Sequence, residues 1–477
     1  MNDEREQLRQ LDKEQLIDII LELREMVKRL TARIEFLEGQ LAKHSGNSSK
    51  PPSSDGLKKP SPKSQRETGK RQSGGQPGHK GETLEAVAQP DEVVRYTLEA
   101  CPDCQHDLSG VAVEAVSQRQ VFELPPLRLQ VTEHQAEQKR CPHCRRQVRA
   151  TFPAGVQQPT QYGMRFKALL VYLNVYQLLP LNRIAELTQD WFGQRVSEGT
   201  LDRALKQAAG AVSGVLDEVE CGLVKAAVAH ADETGMRVAG KLHWLHVLST
   251  TGLTRYGIHA KRGQEALNRL NLVPRFVGEL VHDGWSAYAA YSQCGHALCG
   301  AHLLRELTFL HEQYQQPWAQ PMKALLLKAK AAVEAARLRG AEMLDDALAK
   351  TLMTEYHTLV AAGFAAHPPP PTRPGKRRVA ESPARLLLKR LERDRHAVLH
   401  FMRNFAVPFD NNLAERDLRM MKVKQKVSGC FRSLQGAELF CAVRSYLSTA
   451  RKHGRSMFSA LVDAFSGNPF IPILHHP

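Results

Sequence analysis

The sequence predicts a multidomain α/β protein, and three observations carry that prediction. Residues 16–41 hold an unbroken heptad pattern, which calls for a coiled coil. Two Cys-Pro-x-Cys pairs, at Cys101/Cys104 and Cys141/Cys144, call for a zinc-binding module. From residue 224 onward, strand-like runs end in acids and are followed by helical stretches, the pattern of a sheet with helices packed on it. The chain of 477 residues has room for several cores. Its net charge of +15 favours a polyanionic partner, nucleic acid ahead of membrane. No segment approaches the roughly 18 apolar residues of a membrane span. Residues 1–7 do not read as a secretory signal. Nine cysteines, four of them in C-x-x-C pairs, fit a reducing cytoplasm better than a disulfide framework.

Taken in order, residues 1–44 form the predicted dimerisation helix. Ile20, Val27 and Ile34 occupy a positions and Leu16, Leu23, Leu30 and Leu37 d positions, a combination that favours two parallel strands and a homo-oligomer. The same stripe would also suit a helix packed on the protein's own body. Residues 45–85 are rich in Ser, Pro, Gly and Lys and have no apolar face to bury, so a basic, disordered linker is expected. It could track a phosphate backbone or serve as a solvated tether.

Residues 86–158 make the zinc module, with Cys101, Cys104, Cys141 and Cys144 as ligands of one structural Zn2+. Between the knuckles, residues 120–123 and 129–133 alternate like strands, which predicts an inserted hairpin or small sheet. Residues 159–220 are helical. Within them residues 181–192, Gly193 and residues 197–208 read as a helix-turn-helix-like pair, capped by Ser197 or Thr200, with Arg203 and Lys206 facing DNA. Such pairs also occur without DNA.

Residues 221–313 are expected to be the first part of the catalytic core. A short buried strand over 224–229 is expected to end on Asp232 and turn. Strands over 241–249 and 254–260 follow, then a helix-capable stretch at 263–272 and a fourth strand over 276–281 leading to Asp283. Cys294, His296, Cys299 and His302 fall within nine residues; they read as a fifth strand entering a helix, with a second zinc site as the alternative. Residues 314–400 form a predicted helical insertion, and 401–456 a helix carrying Glu415 with a basic segment. Residues 416–455 hold ten Lys/Arg against two Asp/Glu, and Arg416, Arg419, Lys422, Lys424 and Lys426 are the expected phosphate contacts. Residues 457–477 close the chain.

The order of the acids carries the chemistry. Two-metal cleavage of a phosphodiester needs oxygen ligands shared by ions roughly 4 Å apart, and Mg2+ (or Mn2+) takes a few carboxylates plus water and phosphate oxygens. An RNase H-like sheet supplies one acid on its first strand, a second after its fourth and a third on a later helix. Asp232, Asp283 and Glu415 fall in that order. Singly, each has an ordinary explanation: Asp232 could cap a turn, and Glu415 could pair with Arg419. Glu306, Asp410 and Asp417 compete with Glu415, although Asp417, two residues further along a helix, points elsewhere.

Together the heptad helix, the linker ending G-G-Q-P-G-H-K-G, the paired C-P-x-C knuckles, H-A-D-E-T-G, H-D-G-W-S-A-Y, C-G-A-H-L-L-R-E-L and N-N-L-A-E-R-D-L-R resemble the insertion sequence 66 family of bacterial transposases. The resemblance covers nearly the whole chain in order. It implies a DNA transposase of the acid-triad (DDE) type, with Asp232, Asp283 and Glu415 as its acids and a helical insertion in an RNase H-like core. Its partners would be double-stranded DNA at the element's ends and at the target, together with accessory proteins of the same element. It would work in the bacterial cytoplasm, without a membrane. A catalytically inactive zinc-containing DNA-binding protein, a repressor or relic, is the alternative of a different class; intact acids at all three places favour the enzyme. An RNase H-type repair nuclease would leave the coiled coil and the zinc module without a purpose.

Overall fold

The computed structural model describes residues 11–43, 47, 83–369 and 381–473; most of the expected linker lies outside them. Helix α1 (Lys13–Leu41) starts at a capping box. The Asp12 side chain accepts from the Gln15 amide at 2.8 Å, and Gln15 Oε1 accepts from the Asp12 amide at 3.1 Å. Its heptad seam is uncovered: Ile20, Leu23, Val27, Leu30, Ile34 and Leu37 are all exposed.

The knuckle module departs from the expected small sheet. Its two-stranded ladder, β1 (Gln138–Arg140) with β2 (Gln147–Arg149), flanks the second knuckle only. Among the described residues, 120–123 and 129–133 pair with nothing in a ladder, and Val121 and Val131 stand exposed. Alternation makes a strand only where a layer exists to cover its apolar side, and none covers these.

Residues 164–224 are helical: α2 (Met164–Val171), a π-helical turn at Tyr172–Tyr176, α3 (Leu181–Phe192), α4 (Glu198–Ala211) and α5 (Ser213–Val224). Gly193 ends α3 at φ 65°, the left-handed conformation that glycine adopts without strain. Ser197 caps α4 by accepting from the Thr200 amide at 3.2 Å. Buried Thr188 links the pair, donating to the Ala185 carbonyl and accepting from the Val196 amide.

A five-stranded mixed sheet follows, made of β3 (Val228–Val238), β4 (Lys241–Ser249), β5 (Thr254–His259), β6 (Glu279–His282) and β7 (Gly295–Leu298), with α6 (Gln264–Leu270) between β5 and β6. Its order is β5-β4-β3-β6-β7. The first three strands are antiparallel, while β6 runs parallel to β3 and β7 parallel to β6. The first strand corrects the sequence expectation. Residue 224 ends α5, the strand starts at Val228, and Asp232 sits inside it. The physical reason is asymmetric pairing. β6 stops pairing at His230, whereas β4 stays paired through Val238, so Asp232 lies just past the point where β3 loses one neighbour. The hairpin turn comes later, at Ala239-Gly240, where both φ angles are positive.

After β7 the chain enters α7 (Gly300–Tyr314) and then a second helical body: α8 (Ala319–Leu338), α9 (Asp346–Ala366), α10 (Pro383–Arg393) and two single turns, α11 (Arg395–Val398) and α12 (His400–Arg403). This body has its own core, in which Leu307, Met322, Leu326, Tyr356, Leu388 and Leu391 are buried. Its exit returns to its entrance, because the Gly300 amide donates to the Phe409 carbonyl at 2.7 Å. A Cβ at Gly300 would come within 2.3 Å of the Phe409 ring, so any larger residue there would force that ring to move.

The chain then rejoins the sheet through α13 (Asn412–Ser428), α14 (Leu434–Lys452) and α15 (Met457–Phe465). Helix α14 covers the free edge of β5. Buried Ser445 and Thr449 accept from the Tyr256 and Thr254 amides at 2.9 and 3.1 Å, so the edge is hydrogen-bonded by side chains instead of a further strand. No helix among the described residues is long and apolar enough to cross a membrane.

Candidate active site and zinc module

Side chains on β3 leave alternately from its two faces, so Asp232 shares its side with His230 and Thr234, yet the Glu233 carboxylate still comes within 4.8 Å of the Asp232 and Asp283 oxygens. Helix α13 is fixed to the Asp232 side by one residue at its start. Asn411 is buried; its amide nitrogen donates to the Ala231 carbonyl at 2.9 Å and its oxygen lies 2.8 Å from His230 Nδ1. Because that oxygen can only accept, His230 carries its proton on Nδ1. Burial holds His230 below its ordinary pKa, which keeps the ring neutral. The Asn411 carbonyl then receives the Glu415 amide at 3.2 Å, so Glu415 sits one turn above this anchor.

Asp283 follows β6 directly and is held in a turn. Its carboxylate accepts from the Trp285 amide at 2.9 Å, and Gly284 takes φ 88°. Asp232 and Asp283, with Glu233, offer carboxylate oxygens that all lie within 4.8 Å of one another. Burial raises the Asp232 carboxyl well above the usual range; the charges of Glu233, Asp283 and Glu415 push in the same direction. Like charges converging in a desolvated place are unfavourable unless a proton or a cation joins them, and the all-oxygen donor set suits a hard divalent ion.

Glu415 belongs to a second group, with Cys299 and His302, again within 4.8 Å. Its Oε1 is 3.7 Å from His302 Nδ1, and both atoms are buried without a hydrogen-bond partner among the described residues. The competitors for third acid are engaged elsewhere. Glu306 pairs with Arg390, Asp417 with Lys452 at 3.0 Å, and Asp410 accepts from the Asn412 amide. The Cys294 to His302 stretch divides as a strand and a helix start. His296 turns toward His282 at 3.1 Å, whereas Cys299 and His302 turn toward Glu415.

Glu233, which sequence reasoning passed over, is almost fully enclosed. Its Oε1 accepts from Arg262 Nε at 2.9 Å and its Oε2 from the Tyr288 hydroxyl at 2.7 Å. Arg262 is itself held between the rings of Trp244 and Trp285, 4.9 and 4.4 Å from their centroids. Burial and Asp283 raise the Glu233 pKa, and Tyr288 and Arg262 oppose them. The adjacency of Asp232 and Glu233 was the one signal in the sequence, but nothing in its spacing marks Arg262 or Tyr288 as partners of Glu233.

Among the basic residues, Arg416, Arg419 and Lys426 are exposed on α13, and Arg203 and Lys206 on α4. Lys206 is in an i,i+4 pair with Asp202 at 2.7 Å, and Arg203 donates to Thr200 Oγ1. Lys422 is half-buried and reaches toward the Gly235 carbonyl at 3.5 Å. Lys424 corrects the sequence expectation. It is buried 4.2 Å from the centroid of Phe431, under the rings of Phe431 and Phe440, with burial bringing its pKa down to about 8, and it is not a surface phosphate contact.

The two knuckles are near-copies. In each, the first cysteine's amide bonds to the carbonyl five residues on, and its carbonyl receives the amide four residues on, all at 2.9 Å. Gln105 and Arg145, each just after the second cysteine, both have φ 61°. Cys104 and Asp103 amides lower the Cys101 pKa, and Cys144 and His143 amides lower that of Cys141, which prepares thiolates for a metal. Among the described residues each pair is formed, but the four cysteines are not one of the ligand groups drawn within 4.8 Å.

Comparison with known families accounts for most of the chain. Residues 2–85 match a family of unknown function, and residues 99–145 match the zinc-finger binding domain of transposase IS66, which makes the knuckle module a zinc-binding element. No curated protein matches the chain. Residues 159–439, spanning the helical region, the sheet, the second helical body and α13, match the Transposase IS66 family, and the chain belongs to that family of DNA transposases.

Proposed function

We propose that this transposase cuts and joins DNA with Asp232, Asp283 and Glu415 as the acids of a two-metal, DDE-type site. The observation that carries the reading is the Asp232 carboxyl, held well above its usual range by burial and by Glu233, Asp283 and Glu415 around it. These groups come from a strand, a turn and a helix far apart in sequence. Such a concentration of negative charge suits divalent cations, and Mg2+ or Mn2+ bound there would activate water and neutralise phosphate charge. Asp232 and Asp283 would hold the ions and Glu415 would complete one shell. The water-cut strand at the element's end would leave a 3′-hydroxyl that attacks target DNA. Glu233, whose oxygens accept from Arg262 and the Tyr288 hydroxyl, braces the site beside Asp232 and Asp283.

The strand order β5-β4-β3-β6-β7, with three antiparallel strands and two parallel ones, supports an RNase H-like core over residues 221–313 and 401–456, interrupted by a helical insertion over 314–400. Residues 86–158 form the zinc module, and 159–220 a helix-turn-helix-like DNA contact through Arg203 and Lys206. Exposed Arg416, Arg419 and Lys426, with Lys422 beside them, would hold phosphates near the acids. Residues 1–44 would pair two chains through the uncovered heptad seam. Replacing Leu23 and Leu30 with Lys should lower the mass seen by light scattering, and an unchanged mass would refute the coiled coil.

The decisive assay is magnesium-dependent nicking of a labelled duplex carrying the element's own terminus. Asp232→Ala, Asp283→Ala and Glu415→Ala should each still bind that duplex while cutting at least about a hundredfold more slowly. If Glu415→Ala cuts normally and Glu306→Ala does not, the third acid is Glu306. If all three variants cut at the wild-type rate, the acid-triad reading fails.

A further inference from the structure

We infer that Cys299, His302 and Glu415 form a binding site for a borderline transition-metal ion of the zinc class, separate from both the knuckles and the Asp232–Asp283 pair. The inference rests on the acid-triad reading only in sharing Glu415.

The geometry is that of three donors waiting for a centre. Cys299 is the residue before α7, His302 lies in the first turn of that helix, and Glu415 lies in the first turn of α13. Their sulfur, nitrogen and oxygen atoms fall within 4.8 Å of one another. A tetrahedral zinc ion spaces its nitrogen and oxygen ligands roughly 3.4 Å apart, from bond lengths near 2.0–2.2 Å. His302 Nδ1 and Glu415 Oε1 are 3.7 Å apart, close to that edge. Neither atom has a hydrogen-bond partner among the described residues, although both are buried, and unpaired buried polar atoms are costly unless something satisfies them.

The donor types decide which ion. A thiol, an imidazole and a carboxylate form a mixed set suited to zinc or cobalt, whereas the oxygen-only group at Asp232, Glu233 and Asp283 suits magnesium. The Cys299 sulfur already accepts the Asn411 amide at 3.2 Å, which fixes its direction. Binding would convert the thiol to a thiolate, with its proton released to solvent and the ion making the new bond to sulfur. An ion held there engages Glu415, so zinc in excess should slow magnesium-dependent cleavage by competing for that carboxylate.

The test uses the full-length chain with its knuckle zinc in place, titrated with Co2+ alone. We expect a near-ultraviolet thiolate-to-cobalt charge-transfer band that saturates at one Co2+ per chain, whatever further Co2+ the carboxylates take. Cys299→Ser should lose the band. His302→Ala should weaken binding by more than roughly a hundredfold, since losing even an outer-shell partner costs about 10–100-fold. Because Cys299 is buried, His302→Ala decides the question on its own if the serine variant folds poorly. Cys294→Ser, Asp232→Ala and Asp283→Ala should all keep the band. No band in the wild type, a band that survives Cys299→Ser because cobalt has entered the knuckles, undiminished binding in His302→Ala, or loss of binding in Asp232→Ala would each overturn the site. Normal cutting by the acid variants would overturn the triad without touching this binding result, so the two failures are distinguishable.

Discussion

In the knuckle module each pair of thiols is shaped by amide hydrogen bonds that stay within a single turn of chain, and the sulfurs sit near solvent. The acid cluster draws Asp232 and Glu233 from a strand and Asp283 from the turn after another strand, with Glu415 on a distant helix beside Cys299 and His302, and it leaves Asp232, Asp283 and Glu415 half-buried. The first arrangement prepares ligands by lowering the Cys101 and Cys141 pKa values; the second gathers carboxylates around Asp232, whose pKa burial raises. The difference teaches where stability comes from. A module with little buried core depends on its metal to fold, whereas a site inside a sheet is held by packing and tolerates an unfavourable charge arrangement.

The largest effect expected from this contrast is loss of the zinc. Structural zinc in small fingers is worth about 10–16 kcal/mol of folding free energy. Chelation or Cys141→Ser should therefore abolish amide protection over residues 99–149 while leaving protection of β3, β4 and β6 unchanged in hydrogen exchange. Loss of protection in both regions together would mean that the module and the sheet fold as one unit.

A smaller effect is expected behind the acids. Arg262→Ala leaves Glu233 enclosed with only Tyr288 as partner. Breaking a fully buried pair costs about 3–5 kcal/mol; because Arg262 is partly exposed, a loss on the order of 2 kcal/mol is expected in denaturant unfolding. Arg262→Lys, which cannot stack between two tryptophans as a planar group, should recover only part of it. Wild-type stability in Arg262→Ala would show that Glu233 is protonated and needs no cation.

The smallest effect is a slope against pH. Asp232 and Glu233 have folded-state pKa values above their unfolded ones, so between those values folding of the metal-free chain favours their protonated forms. Their contribution to stability is full below the ordinary carboxylate range and is lost as pH rises through the raised values. Each retained proton gives at most about 1.4 kcal/mol per pH unit. Metal-free protein should therefore melt at lower temperature as pH rises from the carboxylate range toward neutrality. Asp232→Asn should flatten that decline, and Mg2+ should offset it. A melting temperature that climbs over this interval would contradict the raised values.

What could be read in the sequence follows the same divide. The knuckles, the Gly193 turn, the Ser197 cap and the β4 and β5 spans are set by neighbours along the chain, and local spacing recovers them. Asp283 directly follows β6 and Glu415 lies in the first turn of α13, positions that spacing along the chain suggests, whereas Asp232 lies inside β3 and not at the strand end that the sequence predicts. The start of β3 is misread from sequence because residues 224–227 are mostly apolar whether they end a helix or begin a strand. Lys424 is misread because a basic run does not reveal which of its members faces two phenylalanines. Arg262, Tyr288 and Asn411 act through contacts between residues far apart in the chain, which no spacing rule encodes; the spacing of His302 from Cys299 marks it as a possible ligand, but not its approach to Glu415.

The closure of Phe409 onto Gly300 bears on how such a chain can change over time. The second helical body leaves and re-enters the sheet through one shared doorway, so the path from β7 to α13 stays the same however long the excursion between them is. Helices could be lengthened, shortened or exchanged there without displacing Glu415, provided that the doorway keeps its glycine. That body is therefore a place where the protein can acquire new surfaces, while the acid at its far side is insulated from the change.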